Sequence, residues 1–243
     1  MFSNVFINSA SRLQLRIAIR AVVSLVNQTI RRIKIIGLTG AHRTGKTTLA
    51  KAYAEKHNIA YCETTGSQVF KDLGFSPQED LDFETRLTIQ EAILKSFEKQ
   101  YASIGRLFIA DRTPIDLMAY MLADVSRAPL GEKLETRLGK YLNDCIALNN
   151  EVFKILVVVQ PGIILVADEA KAPISHGYIE HIARLTAGLA VQENIKSRHF
   201  YIPQQMTNLN MRIDCVAYAF RKSMAKHEQD FFNNADEAIV SLH

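Results

Sequence analysis

Acidic residues are missing from the first 54 positions of this 243-residue chain: nine Lys and Arg precede the first carboxylate, Glu55. The remainder holds twenty basic against twenty-five acidic residues, so the formal net charge of +4 joins a basic front to a mildly acidic body. The overall balance therefore says little about nucleic acid, while the front end needs its own explanation. Cysteine is scarce as well. Cys62, Cys145 and Cys215 are odd in number, far apart and without C-x-x-C spacing, which points away from a disulfide framework or a zinc site and toward a reducing compartment. No uncharged apolar run approaches the length that spans a bilayer, which argues against a membrane span. His176 and His181 fall on different faces of a helix, so no metal-ligand set emerges from the histidines. Internal repeats, low-complexity tracts and domain linkers are also lacking. With 48% hydrophobic and 22% charged residues, the chain reads as one sizeable α/β domain with an appendage at its start.

What is present is concentrated in "IKIIGLTGAHRTGKTTLAKAYAEKH", Ile33 to His57. Ile33, Ile35, Ile36 and Leu38 form a β-branched run suited to a buried parallel strand, and good helix formers follow from Thr47 to Lys56. Between them lies glycine, four residues, glycine, lysine, threonine: Gly40, Ala41, His42, Arg43, Thr44, Gly45, Lys46, Thr47, then Thr48. Strand, glycine loop, helix is the context that a phosphate-binding loop requires. The two glycines permit a backbone that exposes consecutive N–H groups, and the new helix N-terminus adds a positive partial charge at the same point. Lys46 is then the mobile point charge for the β- and γ-phosphates of ATP, and the Thr47 hydroxyl a ligand for Mg²⁺.

The rest of the chain alternates strands and helices. Ile59 to Cys62 reads as a short strand ending at Glu63. Asp82 caps a helix to about Ala102, whose apolar stripe (Phe83, Leu87, Leu94, Phe97, Tyr101) is interrupted by the amide of Gln90. A buried amide needs hydrogen bonds, and both a neighbouring backbone group and the wall of a ligand cavity supply them. In "RLFIADRTPIDLMAYM", Leu107 to Ala110 is a strand, Thr113 an N-cap, Pro114 the first helical residue and Asp116 the capping-box acid. Asp111 and Arg112 are left at the strand's carboxyl end, where open parallel sheets bind ligands. Further helices are expected at 131–148 and 178–194, strands at 154–159 and 199–203, and a closing helix begins in "NLNMRIDCVAYAF". The alternation predicts a parallel sheet with helices on both faces.

Residues 11–33 read as an amphipathic helix, with Leu15, Ile19, Val22, Val26 and Ile30 on one side and Arg12, Arg16 and Arg20 in a separate row. Three roles remain open for it: a cover for the core, an Arg-rich transit peptide, or a basic arm that touches a polyanion. The boundary is placed at 1–32 for this helix and 33–243 for the main domain.

A carboxylate at Asp111 can bind Mg²⁺ through water or take the proton of a hydroxyl nucleophile, and Arg112 can offset transition-state charge. That pair suits phosphoryl transfer to a hydroxyl. An ATPase that works on nucleic acid would usually show two adjacent acids ending a hydrophobic strand, and it stays as an alternative. The segment "DEAKAPISHGY", Asp168 to Tyr178, is positioned to close as a lid, with Lys171 and Arg184 as phosphate contacts.

Taken together, "GLTGAHRTGKTTLA", Glu63, the Gln90 helix and "IADRTPIDLMAYM" resemble the P-loop nucleoside and nucleotide kinases over about Ile33 to Phe220. The branch is similar to nicotinamide-riboside kinases and thymidylate kinases. Within it the chain looks most like the viral 5-hydroxymethyluracil DNA kinases, which act in thymidine hypermodification of bacteriophage DNA. The resemblance implies a P-loop three-layer sandwich with a five-stranded parallel sheet, carrying the extra N-terminal helix. It implies ATP and Mg²⁺ at Lys46 and Thr47, base or metal duty for Asp111, phosphate or acceptor contact for Arg112, and acceptor contacts from Glu63 and Gln90. The implied acceptor is DNA or a deoxynucleotide, and the implied location is the cytoplasm, that of the host for a viral protein. The chain departs from many free-nucleotide kinases in lacking an arginine pair between Asp168 and Tyr178.

Overall fold

The computed structural model describes residues 36–64, 66–105, 107–125, 129–165 and 174–240, with side chains as far as Lys226. The amphipathic stretch at 11–33 and Lys171 lie outside the described residues.

Five strands, β1 (Ile36–Thr39), β2 (Ala60–Cys62), β3 (Phe108–Ala110), β4 (Ile155–Val159) and β5 (Arg198–Ile202), form one sheet in the order β2-β3-β1-β4-β5. Every pairing is parallel, with Ile36 opposite Ile109 on one side and Ile155 on the other. The expected five-stranded parallel sheet is therefore present. The two neighbours of β1 are fully buried along with it, which is why these strands read as unbroken apolar runs.

Among the described residues, six helices lie between strands, α1 (Lys46–His57), α2 (Gly66–Asp72), α3 (Phe83–Ile104), α4 (Pro114–Ala123), α5 (Glu132–Val152) and α6 (His176–Ala190), and α7 (Leu209–Val240) follows the last strand. The period of two along β4 assigns them to layers. Ile155, Val157 and Val159 join the core that holds Leu49 and Tyr53 of α1 and Ile213 and Val216 of α7. Leu156 and Val158 face the opposite core, with Leu87 and Phe97 of α3, Ile115 and Met118 of α4, Tyr141 of α5 and Ile182 of α6. The result is a three-layer sandwich.

Local signals set the helix ends. Asp82 Oδ1 accepts the Thr85 N–H at 2.8 Å and starts α3, and Asn58, in a left-handed conformation at φ 50°, stops α1. The short α2 was not expected from the polar sequence after Glu63. It rests on one buried side chain, Phe70.

The chain leaves β1 for the outer strand β2, returns through β3, and then crosses β1 to reach β4 and β5. Connections above the carboxyl end of β1 thus part in opposite directions. That opening is the crevice in which doubly wound sheets place their ligands.

Candidate functional site

Gly40 begins the loop above β1 with φ +143°, and a Cβ there would lie 2.5 Å from the Val159 carbonyl oxygen of β4. Only glycine lets the chain leave the sheet at that distance from its neighbour. Arg43 (φ 60°) and Gly45 (φ 82°) add two left-handed turns before α1 starts. Such alternations aim successive N–H groups at one concave side. Gly45 is the N-cap of α1 and carries no side-chain cap, so the first N–H groups of that helix are free to meet an anion. Ala41 and Thr44 form the buried part of the loop, and the Thr44 hydroxyl donates to the Ala41 carbonyl at 3.0 Å. Thr47 and Thr48 are exposed at the start of α1.

Lys46 folds back over this loop. Its Nζ donates to the Gly40 and Ala41 carbonyls at 2.6 and 2.7 Å and lies 3.9 Å from Asp116. Burial pulls the ammonium pKa down to about 8, with the positive Arg112 adding to that fall and Asp116 and Asp111 opposing it.

Asp116 does more than cap. Its Oδ2 accepts the Thr113 N–H at 2.8 Å in a reciprocal capping box, and its Oδ1 accepts the Gly40 N–H at 2.9 Å. The carboxylate is completely buried. It therefore pins the start of the glycine loop to the start of α4 while standing beside Lys46.

Asp111, at the carboxyl end of β3, is held by three hydroxyls. Thr47 Oγ1 and Tyr61 OH donate to Oδ2 at 2.7 and 2.8 Å, and Thr64 Oγ1 donates to Oδ1 at 3.0 Å. Burial and the negative Asp111 push the Tyr61 phenol far above its ordinary pKa, so it remains a donor. Burial, followed by Asp111, pushes the neighbouring Cys62 thiol up to about 12, which leaves it without nucleophilic character. Arg112 follows directly. Burial opposes its charge, but Tyr120, Asp116 and Asp111 outweigh that effect and hold its pKa above the ordinary value, with the guanidinium 5.7 Å from the Tyr120 ring centre.

Tyr120 links this end of α4 to the loop. Its hydroxyl lies 3.1 Å from both the backbone N–H and the Nδ1 of His42. The His42 ring also lies 5.8 Å from that of Tyr178, in the first turn of α6. Burial, then Arg112, Lys46 and Arg43, lower the His42 pKa to about 4, so its ring is neutral at ordinary pH.

The residues expected to act together do not all converge. The loop from Gly40 to Thr48, Asp111 and Arg112 share one crevice. Glu63 turns to the surface, 62% exposed, and pairs with Lys51 at 3.6 Å. Gln90, half-buried on α3, accepts from Tyr141 OH at 3.4 Å. Arg184 is exposed and paired within its own helix to Glu180 at 2.9 Å. Tyr61, Thr64, Tyr120 and Arg212, which contact the named residues, were not singled out from sequence, and Asp116 was read only as a cap. Tyr61 and Thr64 flank a recognised strand end, and their hydroxyls are the one signal that was open to use.

Comparison with known proteins agrees with this architecture. The sequence model of the AAA domain matches residues 35–152. No curated protein matches the chain by sequence. Among solved structures, deoxyadenosine kinase from M. mycoides with bound dCTP superposes with a TM-score of 0.51 at 15% identity, covering 77% of this chain and 98% of the other. NadR protein in complex with NAD and AMP-PNP gives 0.56 at 14% identity, covering 79% of this chain and 50% of the other. Thymidylate kinase from Candida albicans gives 0.52 at 10% identity, covering 81% and 94%. The fold is that of the P-loop kinases.

Proposed function

We propose that this protein is an ATP-dependent kinase that transfers the γ-phosphate to a hydroxyl on a deoxynucleoside moiety. The observation that carries this reading is the pairing of the loop with the end of β3: Thr47 Oγ1 stands 2.7 Å from Asp111 Oδ2, beside Lys46 and with Arg112 next in sequence. A hydroxyl and a carboxylate are hard oxygen donors, and Mg²⁺ accepts such a pair while keeping waters and phosphate oxygens for the rest of its shell. Bound to Thr47 and Asp111, the ion supplies charge neutralisation for the phosphates.

The protein's own groups do the remainder. Backbone N–H groups of the loop and Lys46 hold the β- and γ-phosphates. Asp111 divides its duties: Oδ2 receives Thr47 and Tyr61, while Oδ1, which among the described residues receives Thr64 alone, accepts the proton that the acceptor hydroxyl releases. Arg112 offsets charge that develops on the transferred group. As the acceptor hydroxyl attacks phosphorus, the bond to the β-phosphate oxygen breaks and ADP leaves.

The acceptor we propose is the 5-hydroxymethyl group of 5-hydroxymethyl-deoxyuridine within DNA. Two sequence features support a polymer: the basic first 54 residues, and a lid segment without an arginine pair between Asp168 and Tyr178. Labelled ATP offered with hydroxymethyluracil-containing DNA, unmodified DNA, and free deoxynucleosides and monophosphates tests the reading. Label is expected in the modified DNA alone, with a rate that falls as salt rises. Label in a free nucleoside or nucleotide only overturns the DNA acceptor, and label released solely as inorganic phosphate overturns the kinase in favour of an ATPase.

A further inference from the structure

Asp111 is 6% exposed, and a carboxylate so far from water is normally paired with a cation. Among the described residues this one is met by hydroxyls instead, Thr47 and Tyr61 on Oδ2 and Thr64 on Oδ1. Hydroxyl donors occupy the lone pairs but leave the negative charge in place, which suits an oxygen that is to face a divalent cation beside Thr47. The part of Thr47 follows from the phosphate loop. Tyr61 and Thr64 need an account of their own.

The register of the sheet aims Tyr61 at Asp111. Tyr61 pairs with Ile109, so the two side chains share a face, and Asp111, two residues beyond Ile109, stays on that face. It is the face that carries α1, since Tyr61, Ile109 and Leu49 belong to one core. Thr47 and Lys51 lie one turn apart on α1: the first meets Asp111, and the ammonium of the second stands 5.4 Å from the centre of the Tyr61 ring. The phenol is thus held between strand and helix, with its only proton spent on Asp111. Thr64, just past the end of β2, takes the other oxygen. An aspartate carboxyl turns readily about its last bond, and a single donor would leave it that freedom. Donors on both oxygens fix its plane.

We propose that Tyr61 and Thr64 are positioning residues for the transfer reaction, which hold the Asp111 carboxylate so that Oδ2 stays with Thr47 on the metal side while Oδ1 turns to the acceptor hydroxyl. This rests on the reading of Asp111 as metal ligand and base. Both residues act through Asp111.

Two measurements on Tyr61→Phe, Thr64→Val and Thr64→Ser test it. The first is phosphoryl transfer at saturating Mg²⁺ to whichever acceptor takes label. Tyr61→Phe and Thr64→Val are each expected to lower kcat about 10–100-fold, the usual cost of removing a group that orients a metal ligand, with KM for ATP unchanged. Thr64→Ser, which keeps the hydroxyl, restores most of kcat. Tyr61→Phe should cost little more once Asp111→Asn is in place, because its effect passes through the carboxylate. Equal losses with and without Asp111 mark general damage to the fold and overturn the proposal, as does an unchanged kcat. The second measurement is Mn²⁺ binding to the protein with ADP, followed by electron paramagnetic resonance, which needs neither acceptor nor turnover. Binding about tenfold weaker in Tyr61→Phe is expected, and unchanged binding overturns the proposal. An unaltered chain that binds Mn²⁺ with ADP and phosphorylates no acceptor overturns the kinase reading alone, and the Mn²⁺ comparison then decides whether Tyr61 orients Asp111. If Tyr61→Phe does not fold, Thr64→Val against Thr64→Ser decides by the same two measurements.

Discussion

Replacing Asp116 by alanine separates a helix cap from a structural clamp. A cap acid of ordinary exposure is worth about 1 kcal/mol. Asp116 is completely buried, however, and its removal strands the Gly40 and Thr113 N–H groups away from water and takes the nearest carboxylate from Lys46, 3.9 Å away. Each stranded buried donor costs about 1–3 kcal/mol, and breaking a buried ionic contact about 3–5 kcal/mol in total. These overlap, so the expected loss for Asp116→Ala is about 3–5 kcal/mol in urea unfolding followed by circular dichroism. Asp116→Asn should fall between this variant and the unaltered chain, because one amide oxygen can keep one N–H while its NH₂ meets the other. Asp82→Ala, which removes an exposed cap from α3, serves as the control and should cost clearly less. A functional consequence follows from the same geometry. Asp116 is the group that most raises the Lys46 pKa, so without it the ammonium pKa falls further below about 8 and ATP binding weakens at neutral pH. If Asp116→Ala destabilised the protein no more than Asp82→Ala and left ATP affinity unchanged, the clamp would be wrong.

Four further outcomes are expected. Lys46→Ala abolishes phosphoryl transfer with an unchanged circular dichroism spectrum; full transfer in this variant removes the central claim. Asp111→Asn lowers turnover by on the order of a hundredfold or more with little change in ATP affinity, and a near-normal turnover would require another base. Binding of a polyphosphate raises the Lys46 pKa from about 8, so titrations near pH 8 in buffers of different ionisation enthalpy should show proton uptake, absent in Lys46→Met. His42 is depressed from 6.5 to about 4 in the folded protein, so the unfolded chain binds the extra proton between those values. Stability must then fall as pH drops from 6.5 to 4, and urea midpoints of His42→Gln should lose that part of the slope.

The sheet and the phosphate loop were legible because their signals are local. The strand at β1, the glycines at 40 and 45 and the helix that follows fall within about twenty consecutive residues, and each depends on neighbours in sequence. The end of β3 was legible for the same reason, since Thr113, Pro114 and Asp116 write a helix start in four positions. What escaped notice involves separation. Tyr61 and Thr64 reach Asp111 across 50 and 47 residues, and Arg212 reaches Thr44 across 168. No spacing rule connects such pairs, because parallel strands bring their carboxyl ends together only after each crossover helix has been laid down. Asp116 shows the intermediate case. Its bond to Thr113 is local and was readable, while its bond to Gly40, 76 residues away, depends on β1 and β3 being neighbours in the sheet. The capping motif therefore located a residue correctly and understated it. The same logic explains Glu63, for which the family resemblance implied an acceptor contact. In a strand of three residues the last side chain before the turn is free to choose a direction, and here Glu63 pairs with Lys51 at the surface while Thr64, one residue on, turns inward to Asp111. Adjacent residues at a strand end differ in facing by about half a turn, so a reading by position alone is right about the edge and open about which of two neighbours lines it.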